Sequence, residues 1–236
     1  MLALATVFGK KFLSFILQLT ESIFFVIKTH HLKFRDNHMT IYTSRPFILA
    51  SASPRRQELL KSVGLKFKTI PAHVNEDYRN GESPRQHVQR LARDKALAVA
   101  HQYPDAWVLG ADTIVVIDGL VLGKPKNKTQ ARQMLERLSG REHKVFTGFT
   151  LNSAANRLIK TKVIQSAVQF KPVSDEEMEW YISCDEPYDK AGGYAAQGKG
   201  ASFIQSIRGS YTNVIGLPLC EVMEELKKMG AIHFRY

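Results

Sequence analysis

The chain of 236 residues contains little cysteine and lacks the short motifs that mark several large enzyme classes. Its two cysteines, Cys184 and Cys220, form no CxxC spacing, which favours two reduced, buried thiols in a cytosolic protein. The absence of GxxxxGK[ST] excludes a P-loop, and the segment GGYAAQG does not match a dinucleotide-binding fingerprint. No HExxH, GxSxG or cysteine-histidine metal spacing supports the corresponding hydrolases. The chemistry must therefore depend on other residues.

Acidic residues are in the minority, with 22 Asp and Glu against 33 Lys and Arg, for a formal net charge of +11. The basic residues are scattered through predicted helices, and the sequence has no arginine-rich tail or aromatic-basic ladder. A basic surface attracts nucleic acids, but it equally attracts free nucleotides, which are small polyanions. Net charge alone leaves both partners open.

The apolar run at residues 13–27, near the N-terminus, is short and is interrupted by Gln18 and Glu21. A membrane-spanning helix needs roughly 20 mostly apolar residues, and no small-residue cleavage site of a signal peptide follows this run. We interpret residues 1–38 as a non-essential extension or a mis-assigned start, with an amphipathic surface helix and a membrane anchor as alternatives. Met39 opens a segment that has the character of a natural start, so residues 39–236 are expected to form the functional domain. We expect no stable membrane insertion.

Apolar strand patterns alternate with capped helix patterns along the rest of the chain. A composition of 44% hydrophobic and 23% charged residues is typical of a globular protein. Strands are predicted at residues 47–52, 66–70, 107–116, 120–122, 145–151, 160–170 and 202–207. Helices are predicted at residues 54–63, 84–101, 127–138, 174–183 and 218–229. This alternation predicts an α/β fold with one catalytic unit.

The first candidate site is the strand-to-helix corner that contains Ser51, Ser53, Arg55 and Arg56. Ser53 before Pro54 predicts a helix start, where unpaired N–H groups favour anions. Two arginines in a first helical turn are unfavourable for the helix dipole unless an anion compensates them. The corner is therefore either a phosphate site or a solvated basic turn.

The second candidate is Asp112, which follows buried strand residues in the run WVLGADTIVV. An ionised carboxylate there is costly unless it is paired or used, and the carboxyl ends of strands are where open α/β sheets bind ligands. We expect Asp112 to be a general base or a metal ligand, with a structural ion pair as the alternative. Lys124 lies between a glycine and a proline. Glu76 and Lys95 are weak candidates by themselves and become site candidates only in combination with Asp112.

The third candidate is the segment 185–201, which is rich in glycine and therefore permits close approach of the backbone to a ligand. Gln197 in this segment is flanked by small residues. Its amide has both a donor and an acceptor that can recognise the edge of a base.

Taken in order, several motifs resemble those of the Maf family of nucleotide pyrophosphatases. They are SASPRRQELL, VLGADTIVV, LGKP, LSGREHKV, DEPYDKAGGYAAQGKGASF and YTNVIGLPL. The resemblance implies a mixed α/β fold related to the inosine-triphosphate pyrophosphatases, with a twisted sheet, flanking helices and a cleft between two lobes. It also implies a cytoplasmic homodimer that cleaves nucleoside triphosphates between the α- and β-phosphates with Mg²⁺ or Mn²⁺.

The resemblance assigns roles to individual residues. Asp112 matches the proton-accepting aspartate of the family. The family's phosphate- and metal-handling positions are matched by Ser51, Arg55, Arg56, Glu76, Lys95 and Lys124. Ser53 belongs to the same substrate-binding corner, and Glu76 and Asp112 are the expected metal ligands.

Three positions separate two branches of the family. The branch that acts on dTTP and UTP has arginine, threonine and glutamine where this chain has Arg55, Thr113 and Gln197. The branch that acts on 7-methylguanosine triphosphate tends to have tryptophan, glutamine and glutamate, which suit a cationic methylated purine. The resemblance thus predicts a dTTP and UTP pyrophosphatase. The alternatives are the methylated-guanosine activity, the inhibition of septum formation from which the family takes its name, and nucleic-acid binding.

Overall fold

A computed structural model describes residues 39–235, so the predictions for residues 1–38 lie outside the described part of the chain. The strands are β1 (Thr40–Thr43), β2 (Phe47–Leu49), β3 (Lys68–Thr69), β4 (Trp107–Ile117), β5 (Leu120–Leu122), β6 (Glu142–Ser153), β7 (Leu158–Phe170), β8 (Ile204–Arg208) and β9 (Ile232–Arg235). The α-helices are α1 (Pro54–Ser62), α2 (Pro84–Ala100), α3 (Lys128–Leu138), α4 (Asp175–Ile182), α5 (Tyr211–Ile215) and α6 (Leu219–Lys228). Short 3₁₀ turns occur at Glu186–Asp189, Ala191–Gly193 and Lys199–Phe203.

A mixed seven-stranded sheet forms the centre of the fold, in the order β3-β2-β4-β6-β7-β8, with β5 also paired to β4. The pairs β3–β2 and β2–β4 are parallel, whereas β4–β6, β6–β7 and β7–β8 are antiparallel. Strands β1 and β9 form a separate antiparallel pair. The predicted mixed α/β architecture is confirmed.

Local sequence signals fix several element boundaries. Ser83 and Ser174 each form a capping box with the residue three positions later, at the starts of α2 and α4. Asp118 and Gly119 both have positive φ angles, as a tight hairpin between β4 and β5 requires. Ser53 occupies the N-cap position of α1, but its side chain makes no capping hydrogen bond, so the predicted cap is wrong in that detail.

Two hydrophobic clusters lie along one face of β4 and are separated near its middle. Leu109 and Ala111 belong to a cluster with α1, α6 and β9. Val115 and Ile117 belong to a second cluster with α3, α4 and Phe203 of the last 3₁₀ turn. Alternate residues of a strand point to the same face, so the gap between the clusters falls at Thr113. This division corresponds to the predicted lobes on either side of a cleft.

Within residues 39–235, no helix has both the length and the apolar character needed to cross a membrane.

Candidate active site

Asp112 is the sixth residue of the eleven-residue strand β4, so the prediction that it lies at the carboxyl end of a strand is wrong. One edge of β4 pairs with β2 over residues 107–109 and with β5 over residues 115–117. Among the described residues, no strand covers that edge of β4 between these two pairings. The sheet is therefore open beside Asp112. This gap leaves room for a ligand, as the carboxyl ends of strands do in a simpler sheet.

Two glycines allow helix α2 to lie directly on the sheet. A Cβ added at Gly148 would lie 2.2 Å from the carbonyl oxygen of Val88, and one added at Gly110 would lie 2.4 Å from that of Ala92. Gly148 is the β6 partner of Asp112 in the sheet register. The close approach of α2 brings Lys95, which lies on this helix, within reach of Asp112.

Lys95 joins two carboxylates. Its Nζ lies 2.8 Å from Oδ1 of Asp112 and 2.6 Å from Oε1 of Glu76. The side chains of Lys95 and Asp112 are only 10% and 12% exposed, whereas the Glu76 side chain is 61% exposed. Burial raises the pKa of Glu76, but the hydrogen bond and charge of Lys95, together with Lys124, outweigh burial and hold that pKa below its ordinary value. Glu76 is therefore an ionised carboxylate at neutral pH.

Arg56 ties the strand-to-helix corner at residues 51–56 to the sheet. Its Nε donates to the carbonyl oxygen of Gly216 at 2.8 Å, and its Nη1 donates to Oγ of Ser51 and to the carbonyl oxygen of Ala111, both at 3.0 Å. Its Nη2 donates to Oγ1 of Thr113 at 3.0 Å. Burial lowers the pKa of Arg56, and the charge of Asp112 opposes that effect. Most donors of this guanidinium are thus used inside the protein, where they hold three segments together.

A single cavity of about 740 Å³ brings together nearly all of the predicted site residues. This volume is within the usual range for ligand sites, about 300–1,000 Å³. The predicted residues that line it are Ser51, Ser53, Arg55, Arg56, Glu76, Lys95, Asp112, Thr113 and Lys124. Cationic side chains outnumber carboxylates in this lining, as binding of a polyphosphate requires.

Arg55 points towards the glycine-rich segment on the opposite side of the cavity. Its Nη1 lies 3.7 Å from Oδ2 of Asp189, which also pairs with Lys190. Asp189 and Lys190 both line the cavity. Arg55 is therefore held by a single long contact to a carboxylate, unlike Arg56 with its internal network.

Comparison with known proteins identifies the family. The sequence profile described as "Maf-like protein" matches residues 46–229, which is most of the chain. The chain belongs to the Maf family. Proteins of the family from Syntrophus aciditrophicus (strain SB) and Citrifermentans bemidjiense are 59% and 50% identical to it over 187 and 185 residues. The matches cover 79% and 78% of this chain and 91% and 96% of those proteins, and both are named dTTP/UTP pyrophosphatase.

One solved structure from this comparison is a HAM1 protein from Coxiella burnetii. It aligns with a TM-score of 0.40 and 18% sequence identity over 78% of this chain and 99% of that chain.

The position of Gln197 differs from that of the other predicted Maf specificity residues. Gln197 is exposed and does not line the cavity, although Tyr194, Ala195 and Ala196 of the same segment do. Thr113 lines the cavity, and its hydroxyl accepts a hydrogen bond from Arg56 and donates one to the carbonyl oxygen of Gly216. The structure thus brings Arg55 and Thr113 together and leaves Gln197 outside.

Sequence reasoning did not single out several residues that line the Maf cavity. Tyr78 and His87 stack face to face, with their ring centroids 3.6 Å apart. His87 and Lys95 are eight residues apart on α2, a spacing that places both on the same helix face. That spacing is visible in the sequence, but the stacking of a loop tyrosine on His87 is not.

Proposed function

We propose that this protein is a nucleotide pyrophosphatase that hydrolyses dTTP and UTP to the monophosphate and pyrophosphate. The observation on which the proposal depends is the Glu76–Lys95–Asp112 arrangement, which lies in the same cavity as Arg55 and Lys124. A carboxylate placed among cations suits attack by water on an anionic phosphate, because the cations offset the repulsion between nucleophile and substrate.

The triphosphate binds with its β- and γ-phosphates towards Arg55 and Lys124. Arg55 exchanges Asp189 for phosphate oxygens, and the open N-terminus of α1 with Ser53 offers further hydrogen-bond donors. Arg56 contributes its positive charge at short range, while its hydrogen bonds to Ser51 and Ala111 keep the corner in one shape. Preorganised charge of this kind is favourable because little rearrangement is needed when the transition state forms.

Asp112 acts as the general base. An oxygen of water attacks the α-phosphorus, a proton passes to the Asp112 carboxylate, and the bond from the α-phosphorus to the bridging oxygen breaks. Pyrophosphate leaves with that oxygen, and its charge is stabilised by Arg55 and Lys124. Lys95 keeps Asp112 oriented by its 2.8 Å contact. Because Lys95 also pairs with Glu76, its charge remains compensated when Asp112 takes up a proton.

The donor set suits Mg²⁺ or Mn²⁺. These ions prefer oxygen ligands, and Mg²⁺ commonly uses one or two carboxylates with substrate phosphates and water. Within residues 39–235 there is no group of three His, Cys, Asp or Glu side chains that could hold a metal alone. Glu76 and Asp112 would therefore hold the ion jointly with the triphosphate. A bound divalent ion supplies charge neutralisation and a lower pKa of coordinated water.

The preference for dTTP and UTP is supported by the names of relatives up to 59% identical and by Arg55 and Thr113 in the cavity. A panel of dTTP, UTP and 7-methylguanosine triphosphate, each with Mg²⁺ or Mn²⁺, tests the proposal through released pyrophosphate. The Asp112→Asn variant, purified in parallel, controls for contaminating phosphatases. Turnover of the methylated nucleotide above that of dTTP and UTP would assign the chain to the other branch. No pyrophosphate release from any of the three would reject the enzymatic proposal.

We also propose a cytoplasmic location, where nucleoside triphosphates are abundant. The predicted homodimer remains a prediction, and size-exclusion chromatography with light scattering tests it. The predicted absence of specific nucleic-acid binding also remains a prediction, and salt-sensitive duplex binding near physiological ionic strength would contradict it.

A further inference from the structure

The loop between β3 and α2 carries Glu76 into the active site, although Glu76 itself is mostly exposed. This loop contains no strand or helix over residues 70–83. An irregular, exposed segment places a carboxylate accurately only when other contacts hold it. The contacts that hold this loop come from helix α2.

Arg90 of α2 binds the loop at two points. Its Nε and Nη2 contact the two oxygens of Glu82 at 2.7 and 2.9 Å, and Nη2 also donates to the carbonyl oxygen of Asp77 at 2.9 Å. The side chains of Glu82 and Arg90 are only 7% and 13% exposed. Asp77 is the residue next to Glu76. A buried, bidentate ion pair therefore fixes the backbone beside the proposed metal ligand.

His87 adds a second attachment between α2 and the loop. Its Nδ1 lies 2.9 Å from Oε2 of Glu82, and its ring stacks on Tyr78 with an interplanar angle of 2°. Tyr78 follows Glu76 by two residues. The hydrogen bond from Arg90 has the largest effect on the pKa of Glu82 and lowers it; burial raises it, and the bond to His87 lowers it further. The net result is a pKa of about 2, so this carboxylate stays ionised at neutral pH.

We propose that Arg90 and Glu82 are positioning residues for the reaction, which hold the loop so that Glu76 meets Lys95 and the divalent ion. Helix α2 carries both Arg90 and Lys95, so one rigid element sets the loop position and the lysine position together. Neither residue of the Arg90–Glu82 pair lines the cavity, so they act through Glu76 rather than on the substrate. This inference rests on the proposed pyrophosphatase function.

The test is a double-mutant cycle in the full-length protein with Arg90→Lys, Glu76→Gln and the double variant. Lysine keeps the charge of Arg90 but loses its planar fork. We expect Arg90→Lys to lower kcat and Mn²⁺ affinity by about 10-fold or more, as is typical when a residue that orients a metal ligand is lost, with the KM for UTP within about threefold. In the Glu76→Gln background, Arg90→Lys should change kcat by less than about twofold. Arg90 acts through the Glu76 carboxylate, which is absent there, so the effects of the two substitutions do not add.

Mn²⁺ affinity is measured by electron paramagnetic resonance in the presence of a non-hydrolysable UTP analogue, which gives a readout independent of turnover. Arg93→Lys, an exposed position on the same helix, is the matched control and should leave kcat and Mn²⁺ affinity unchanged. Thermal unfolding of every variant shows whether the protein is folded at the assay temperature. Glu82→Gln provides a second, independent break of the same ion pair.

The outcomes separate the two proposals. A full additive loss in the double variant, or unchanged Mn²⁺ affinity in both Arg90→Lys and Glu82→Gln, would overturn the positioning role. If Glu76→Gln alone leaves turnover and Mn²⁺ affinity intact, the proposed role of Glu76 fails. The positioning role then fails as well, because Arg90 and Glu82 would have no functional carboxylate to position.

Discussion

Replacing Asp112 with asparagine removes the proposed base and keeps the shape of the side chain. We expect turnover to fall by about 100- to 10,000-fold, the usual contribution of general base catalysis. Nucleotide affinity measured without divalent metal should change by less than about threefold, since Arg55 and Lys124 line the cavity independently of Asp112. Released pyrophosphate measures turnover, and titration calorimetry with UTP measures binding.

The cost of this substitution to stability follows from the partners of Lys95. Removing one member of a buried ion pair typically costs about 3–5 kcal/mol when the other charge is left alone. Here Lys95 retains Glu76 at 2.6 Å, and the asparagine oxygen can still accept its hydrogen bond. We therefore expect a loss of only about 1–2 kcal/mol in the free energy of unfolding, because a hydrogen bond between two charged groups is replaced by one to a neutral acceptor.

Asp118→Asn is the matched control. Asp118 is an exposed carboxylate on the β4–β5 hairpin, and it pairs with Arg141. It should retain wild-type turnover. The role assigned to Asp112 would be refuted by turnover of Asp112→Asn within about threefold of wild type, given the expected 100-fold minimum. A loss explained wholly by weaker UTP binding would equally contradict it.

Three further predictions test the supporting structure. Gly148→Ala should lower the free energy of unfolding by about 3 kcal/mol, because the new Cβ meets backbone of α2 in a packed interior; urea denaturation measures this, with Gly123→Ala, where a Cβ meets nothing within 4 Å, as control. Arg56→Lys should cost about 2–4 kcal/mol in the same assay, because a lysine cannot replace its four hydrogen bonds, and an effect below 1 kcal/mol would contradict the network. The depressed pKa of Glu82 should stabilise the fold fully above its ordinary pKa of 4.5 and lose that effect as pH falls through about 2. The stability difference between wild type and Glu82→Gln should therefore shrink from pH 5 to pH 2, and a constant difference across that interval would contradict the assignment.

Much of the fold is predictable from local patterns. The continuous apolar run 107–116 and the capping boxes at Ser83 and Ser174 mark β4, α2 and α4 within a few residues of their observed bounds. The pairing of β1 with β9 is not predictable in this way, because its partners lie near opposite ends of the described chain. Short strands with mixed exposure give little periodic signal, and only the folded topology brings them together.

The nine predicted residues that line the cavity could be named from the sequence, but the contacts among them could not. Motifs placed Glu76, Lys95 and Asp112 together, and the structure joins them through one lysine. The motif sequence alone did not reveal that Arg56 is largely used inside the protein. Its acceptors include two backbone carbonyls, at Gly216 and Ala111, and such acceptors leave no trace in the choice of amino acid.

The contrast between two adjacent arginines bears on how substrate choice can change over evolution. Arg56 is fastened to the Ser51 hydroxyl and to the sheet, so nearly any replacement would damage the whole corner. Arg55 has one loose contact, 3.7 Å from Asp189, and its loss would leave the scaffold intact. The proposed specificity position 55 can therefore change without a penalty in foldability, while Arg56 preserves the frame of the corner.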